Sequence, residues 1–226
     1  MFDVPTARRT QADRSASTQS AVLDATVECL AKFGYAGTNT REIAARAGIS
    51  RGALTHHYPN RSDVIVAAIE RLFDRLAQRF VEEFTARADD ARTLEGAVDT
   101  LWNILGDNNY AAVLEVIVAS RTDSELRVVV HGVAARLESS VVAVFNAVTP
   151  VPFDEPAARL VISAAFAIVQ GAFVSQYAGY GDPDQVIGVA RMLARLIDLE
   201  TGQLLLASAD QNTDQTTNRS VDDIDG

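Results

Sequence analysis

Residues Thr38 to Asp63 read TNTREIAARAGISRGALTHHYPNRSD, and this stretch decides the fold. Ile43, Ala44 and Ala47 recur at helical spacing and predict the inner face of one short helix. Gly48 follows at the position where a helix ends in a left-handed residue, which a Cβ disfavours. Ile49 then drops between two helices. Ser50 is suited to cap the second, which is predicted over about Arg51 to Tyr58. Pro59 lies just past its end, and Asn60 caps a further helix with Asp63 three residues on, as in a capping box. Helix, glycine-containing turn and helix make a helix-turn-helix.

The second of these helices has the composition of a base reader. A major groove admits one α-helix, whose early residues meet base edges. Those residues are Arg51, Gly52, Thr55 and His56, with Ser50 at the cap. Arg51 has the fork that matches guanine O6 and N7, Gly52 permits close backbone approach, and Thr55 offers a hydroxyl and a methyl. Thr38, Thr40, His57, Tyr58 and Arg61 are donors near helix ends and are expected to meet phosphates. Arg41, at the start of the first helix, reaches either kind of group.

Phe33-Gly34-Tyr35-Ala36-Gly37-Thr38, Arg41-Glu42-Ile43-Ala44, Ala47-Gly48-Ile49-Ser50, Gly52-Ala53-Leu54 and His57-Tyr58-Pro59-Asn60-Arg61 together resemble the TetR family of bacterial one-component repressors. The resemblance covers about Gln19 to Leu72. Thr55 stands where the family usually has tyrosine, and Arg61 where it usually has lysine. The resemblance implies an all-α fold of about nine helices. An N-terminal three-helix helix-turn-helix domain would precede a larger helical domain for ligand binding and dimerisation. It also implies a ligand-responsive repressor that holds a palindromic operator in double-stranded DNA as a homodimer. A helical ligand-binding or interaction module without operator binding is the alternative reading.

The charge pattern agrees with a nucleic-acid role for one end only. The 226 residues carry a net charge of −10. Residues 1–62 hold 8 basic and 5 acidic side chains, and the remainder 12 and 25. A basic head on an acidic body is expected where only the head touches phosphate. Apolar residues make up 48%, enough for a real core. The single cysteine, Cys29, excludes an internal disulfide and a cysteine-based zinc site, and is expected as a packed thiol. With no apolar leader in the first twenty residues, the expected location is cytoplasmic and nucleoid-associated.

The expected domains are a disordered polar arm over 1–16, the helix-turn-helix domain over 17–62, the ligand-binding and dimerisation domain over 63–206, and a disordered acidic tail over 207–226. Arg8, Arg9 and Arg14 in the arm leave two readings open, a minor-groove contact and a solvated leader. The first helix is predicted over Ser17 to Phe33, ended by Gly34. The fourth runs from Arg61 to about Ala88, before a polar loop over Ala88 to Arg92. The fifth covers Thr93 to Leu105, the sixth Tyr110 to Ser120, and the seventh starts at a Thr122–Glu125 capping box and runs to about Val148. Pro150-Val151-Pro152 stops it, and the eighth helix spans about Asp154 to Ala178. Leu160 to Gly181 carries no charge; its Ser, Gln and Gly content favours a packing helix over a membrane span, so no membrane partner is expected. The ninth helix comes after Asp182-Pro183, where Val186, Ile187, Ala190, Leu193, Ala194 and Ile197 alternate with Arg191, Arg195 and Asp198. The eighth helix is apolar nearly all round, so one face needs a partner. Two copies joined through their eighth and ninth helices meet that need.

A small effector of unknown identity is expected among the fifth to eighth helices. Trp102, Tyr110, Leu114, Ile117, Phe166, Gln170, Phe173 and Tyr177 are the candidate pocket residues, and core packing accounts for each equally. Their composition points to a mostly apolar ligand with a few polar handles. Glu115 is either a surface or paired carboxylate or a pocket acid, and His131 either a structural histidine or a ligand contact. Adjacent His56 and His57 point about 100° apart on a helix, so no shared metal is expected. No cofactor or catalytic residue is expected either: H-E-x-x-H, G-x-S-x-G and a glycine-rich phosphate loop are all missing from the sequence.

Overall fold

The computed structural model describes residues 11–106, 109–148 and 155–199. Among them are nine α-helices and no strand, so the chain is all-α as expected. They are α1 (Gln11–Gly37), α2 (Thr40–Arg46), α3 (Arg51–His57), α4 (Arg61–Thr85), α5 (Leu94–Leu105), α6 (Asn109–Ser120), α7 (Ser124–Val148), α8 (Glu155–Ala178) and α9 (183–199). A single 3-10 turn, Asp89–Ala91, lies in the polar loop after α4. The N-terminal ten residues, the Pro150-Val151-Pro152 stop and the 207–226 tail lie outside the described residues.

The chain forms two compact units. The first is Met1–Leu76 with Leu105–Leu137, the second Ala77–Ile104 with Glu138–Gly226. Helix α6 packs along α1 and groups with it in the first unit.

In the first unit, Val22 and Cys29 of α1, Ile43 and Ala44 of α2, Leu54 of α3 and Val64 of α4 form one buried cluster. Leu23, Ala47, Ile49 and Tyr58 close it from the side. The inward residues expected from spacing are therefore the ones that meet. Asp24 of α1 takes Arg75 Nη1 at 2.6 Å, with Arg71 Nη2 at 3.5 Å, and Arg71 also donates to Ser20 Oγ at 2.6 Å. These arginines of α4 tie it to α1.

Several boundaries differ from the sequence reading, α1 for one running past a non-helical Gly34 to Gly37. Helix α1 begins at Gln11, six residues before Ser17, since nothing between them breaks a helix. Helix α4 stops at Thr85 rather than Ala88. The cap of α7 is Asp123, not Thr122: Leu126 N–H donates to Asp123 Oδ1 at 3.0 Å, while the Thr122 hydroxyl donates back to Ala119 O.

The second unit is built on a ring stack. Phe80 and Phe84 lie 5.3 Å apart, and Phe84 and Phe145 6.0 Å apart. Val98, Leu101, Ile162, Val169, Ile187, Ala190 and Ala194 are buried in the same unit. Asp198 near the end of α9 accepts the N–H groups of Leu94 at 3.0 Å and Glu95 at 3.3 Å, so a distant residue satisfies two orphan donors at the start of α5. Arg191–Asp99 and Arg195–Glu95, both at 2.6 Å, bind the same helix pair. Helices α7 and α8 are long and apolar enough to cross a membrane by length and composition, and both also carry buried faces. Leu193 is exposed on α9.

Candidate nucleic-acid interface

Helix α3 is short, and its geometry comes from both ends. Asn39 Oδ1 caps α2 by accepting from Arg41 N–H at 3.1 Å and Glu42 N–H at 3.0 Å. Gly48 turns the chain with φ 68°, and Ser50 Oγ accepts from Ala53 N–H at 3.1 Å to start α3. Tyr58 N–H closes it on Leu54 O at 2.9 Å. Asp63 then accepts the backbone and side-chain N–H of Asn60, at 3.0 and 3.1 Å, at the start of α4. Leu54 is fully buried and fixes which face of α3 looks inward.

The opposite face carries the expected readers. Arg51, Gly52, Thr55 and His56 are all exposed. Arg51 and Thr55 are one turn apart and share a side of the helix, as do Gly52 and His56. The Thr55 hydroxyl donates back to Arg51 O at 3.1 Å or Gly52 O at 3.2 Å, which leaves its lone pairs and methyl outward. Arg41 extends into solvent, its side chain 84% exposed, with Glu42 as a weak neighbour at 3.4 Å. Ser50 is exposed and its hydroxyl proton is not used by the cap, while Thr40 is half-buried at the start of α2. His57 is half-buried beside Tyr58. Tyr58 packs on the head core, and burial pushes its phenol up while the Arg71 guanidinium pulls it down.

Two expected phosphate donors are placed otherwise. Thr38 is 1% exposed, and its hydroxyl donates to Gly34 O at 2.8 Å, so its side chain is used in ending α1. Arg61 donates from Nε to Thr38 O at 2.6 Å and from Nη2 to Tyr35 O, with its guanidinium 4.4 Å above the Tyr35 ring. It is a staple between the start of α4 and the end of α1.

Asn39 and Tyr35 escaped the sequence reading, as did the partner that Glu115 holds. Asn39 had a signal, since Asn39-x-x-Glu42 has capping-box spacing. Tyr35 and Glu115 had none, because they meet only in space: Tyr35 N–H donates to Glu115 Oε2 at 2.9 Å. Of the two readings left open for Glu115, the structure matches the surface one, with a backbone partner in place of an ion pair. His131 is exposed on α7. Cys29 is the packed thiol expected, and burial pushes its pKa up.

The candidate pocket residues divide between the units. Tyr110 is buried in the first, with Leu114 and Ile117 half-buried there. In the second, Trp102 stacks on Phe173 at 4.5 Å, and Phe173 on Tyr177 at 6.5 Å, giving an aromatic run from the buried Phe173 to the exposed Tyr177. Phe166 and Gln170 are half-buried on the same α8. No cluster of three metal-ligating side chains occurs among the described residues.

Residues 22–68 match the family model described as bacterial regulatory proteins, tetR family. Over 120 residues the chain is 30% identical to the HTH-type transcriptional regulator CymR of Pseudomonas putida, a match covering 53% of this chain and 59% of CymR, less than two thirds of that relative. A TetR-family regulator from Rhodococcus sp. superposes with a TM-score of 0.66 at 17% identity, over 81% of this chain and 99% of that one. The multidrug binding protein EbrR, solved with imidazole, superposes with a TM-score of 0.56 at 22% identity, over 78% and 94%. At these identities the two structures speak to the fold alone.

Proposed function

We propose that this chain, which belongs to the TetR family of bacterial regulatory proteins, is a transcriptional regulator that binds DNA through α3 and answers to a small molecule held by its C-terminal helices. The observation that carries the reading is α3 itself. One face, Leu54, is locked into the head core; the other presents Arg51, Gly52, Thr55 and His56 to solvent on a helix capped at Ser50. Arg51 is the specifying residue, forked onto a guanine edge, and Arg41, Thr40, Ser50, His57 and Tyr58 hold phosphate. Repression is the mode we favour, and the cytoplasm, at the nucleoid, is the place.

The operator is a palindrome read by a homodimer. On α9, Val189, Met192, Leu193 and Leu196 follow i, i+3, i+4, i+7, and all are at least 43% exposed. Leu160 on α8 is 73% exposed. An apolar stripe of that regularity supports self-association through α8 and α9. The two heads then meet half-sites about one turn of DNA apart, ~34–36 Å.

The effector is mostly apolar, and the Trp102–Phe173–Tyr177 run, with Phe166 and Gln170 on α8, supports an aromatic wall for it. Such a ligand releases the operator only to the extent that it favours a body shape that does not fit DNA.

Selection of duplexes from a random-sequence pool with the full chain tests the reading. Enrichment of one inverted repeat, bound in a salt-sensitive way, is the expected result. Failure to enrich any sequence would leave the module without operator binding as the better account.

A further inference from the structure

Near the end of α1, four contacts converge on one residue, Tyr35. Tyr35 donates its N–H to Glu115 Oε2 of α6 at 2.9 Å. Its hydroxyl donates to Asp123 Oδ2, just before α7, at 3.4 Å. Its carbonyl accepts from Arg61 of α4, and its ring lies under the same guanidinium at 4.4 Å. All these residues belong to the first compact unit. Asp123 is itself fixed, because its other oxygen caps α7 through Leu126 N–H at 3.0 Å. The chain before Tyr35 is shaped to admit Glu115: Gly34 has φ 71°, and a Cβ there would lie 2.8 Å from Glu115 Oε2.

Tyr35 leads directly into the reading head. Three residues separate it from Asn39, the cap of α2, and the turn between is closed by Thr38 N–H and hydroxyl on Gly34 O at 3.1 and 2.8 Å. Any freedom at Tyr35 is passed to the start of α2, and through the Gly48 turn to α3. A head that must be ordered on binding loses affinity to that ordering.

We propose that Glu115 and Asp123 are positioning residues for operator binding. They form a two-point latch on Tyr35 by which α6 and the start of α7 set the pose of α2 and α3. The latch rests on the operator-binding reading above. Because Glu115 is solvent-exposed, its hold on the Tyr35 N–H is one that water can replace, so the latch opens without unfolding the head.

The test uses the full chain and the duplex that the wild-type protein itself enriches from a random pool. Glu115→Ala is expected to weaken binding of that duplex about tenfold and to speed amide exchange over residues 34–39, with the far-UV signal and the salt slope unchanged. Glu115→Gln keeps an acceptor for the Tyr35 N–H and is expected within about twofold of wild type in both readouts. Tyr35→Phe, which loses only the bond to Asp123, is expected to cost about threefold and carries the test should Glu115→Ala fail to fold. Wild-type-like affinity in Glu115→Ala or, in its place, Tyr35→Phe overturns the latch. An equal loss in Glu115→Gln and Glu115→Ala also overturns it. A wild-type protein that enriches no duplex overturns the operator reading instead; the exchange rates of Glu115→Ala against Glu115→Gln then still decide whether Glu115 holds Tyr35.

Discussion

Arg61→Ala removes two hydrogen-bond donations and one ring contact together. Nε donates to Thr38 O at 2.6 Å, Nη2 donates to Tyr35 O, and the guanidinium sits 4.4 Å from the Tyr35 centroid. A hydrogen bond to a charged group nets ~1.5–3 kcal/mol, and an exposed cation–π contact ~0.5–1 kcal/mol. Water reaching the freed carbonyls offsets part of this, and the three contacts are not additive. The head is therefore expected to lose about 2–3 kcal/mol of stability. Lysine in the same place can satisfy one carbonyl with a point charge but not both with a fork, so Arg61→Lys is expected to cost about 1 kcal/mol. Urea unfolding monitored by far-UV circular dichroism gives the total, and amide exchange in α1–α4 separates opening of the head from that of the second unit. Trp102 belongs to the second unit, so its fluorescence is the wrong probe here. The competing role, a phosphate contact, makes a different prediction: unchanged stability and a salt slope for DNA binding shallower by about 0.9. Finding that pair of results would refute the staple.

Gly34→Ala forces a left-handed backbone on a residue with a Cβ and pushes Glu115 aside; it should cost ~1–2 kcal/mol in thermal or urea unfolding. Met192→Glu with Leu196→Glu places two charges on the exposed stripe of α9, and sedimentation should show the folded monomer at concentrations where the wild type is a dimer. Burial pushes the Asp198 carboxyl above its ordinary value, against the pull of the Leu94 and Glu95 N–H groups. The folded chain therefore keeps that proton to higher pH than the unfolded one, and stability falls as pH rises from ~3.9 through the folded value. Asp198→Asn keeps an acceptor and drops the titration, so it should gain on wild type in unfolding free energy as pH is raised from about 4 to 7. The Glu95 carboxyl runs the other way. Arg195 holds it below its ordinary value, so its contribution is present above ~4.3 and is lost as pH falls through the depressed value.

The head was legible because its signals are local. Gly48, Ser50 and Asn60 each mark a helix end by a signal within a few residues of it, and Ile43 and Ala44 mark the buried side by spacing alone. The backbone partners of Thr38 and Arg61 escape a reading by composition, which counts donors without saying which carbonyl lies beside them. The Gly34 carbonyl takes the Thr38 hydroxyl, and Arg61 meets backbone more than twenty residues away. Glu115 and Asp198 show the same limit at longer range: each satisfies a helix end some 80 or 100 positions distant, and no pattern within their own helices announces it. Of the apolar residues read on α9, Ile187, Ala190 and Ala194 are buried and Leu193 is exposed. A helix apolar on two sides gives no sequence signal for which side its own chain covers.

The measurement that reaches the central claim most directly is the affinity of wild type and Arg51→Ala for the enriched palindrome and for every single-base change in one half-site. If α3 lies in the major groove with Arg51 on a guanine, the variant loses ~1–3 kcal/mol on the parent duplex and becomes indifferent to changes at one position per half-site, while its salt slope stays at the wild-type value. An Arg51→Ala profile parallel to the wild type at every position, whether lowered uniformly or not at all, would contradict it.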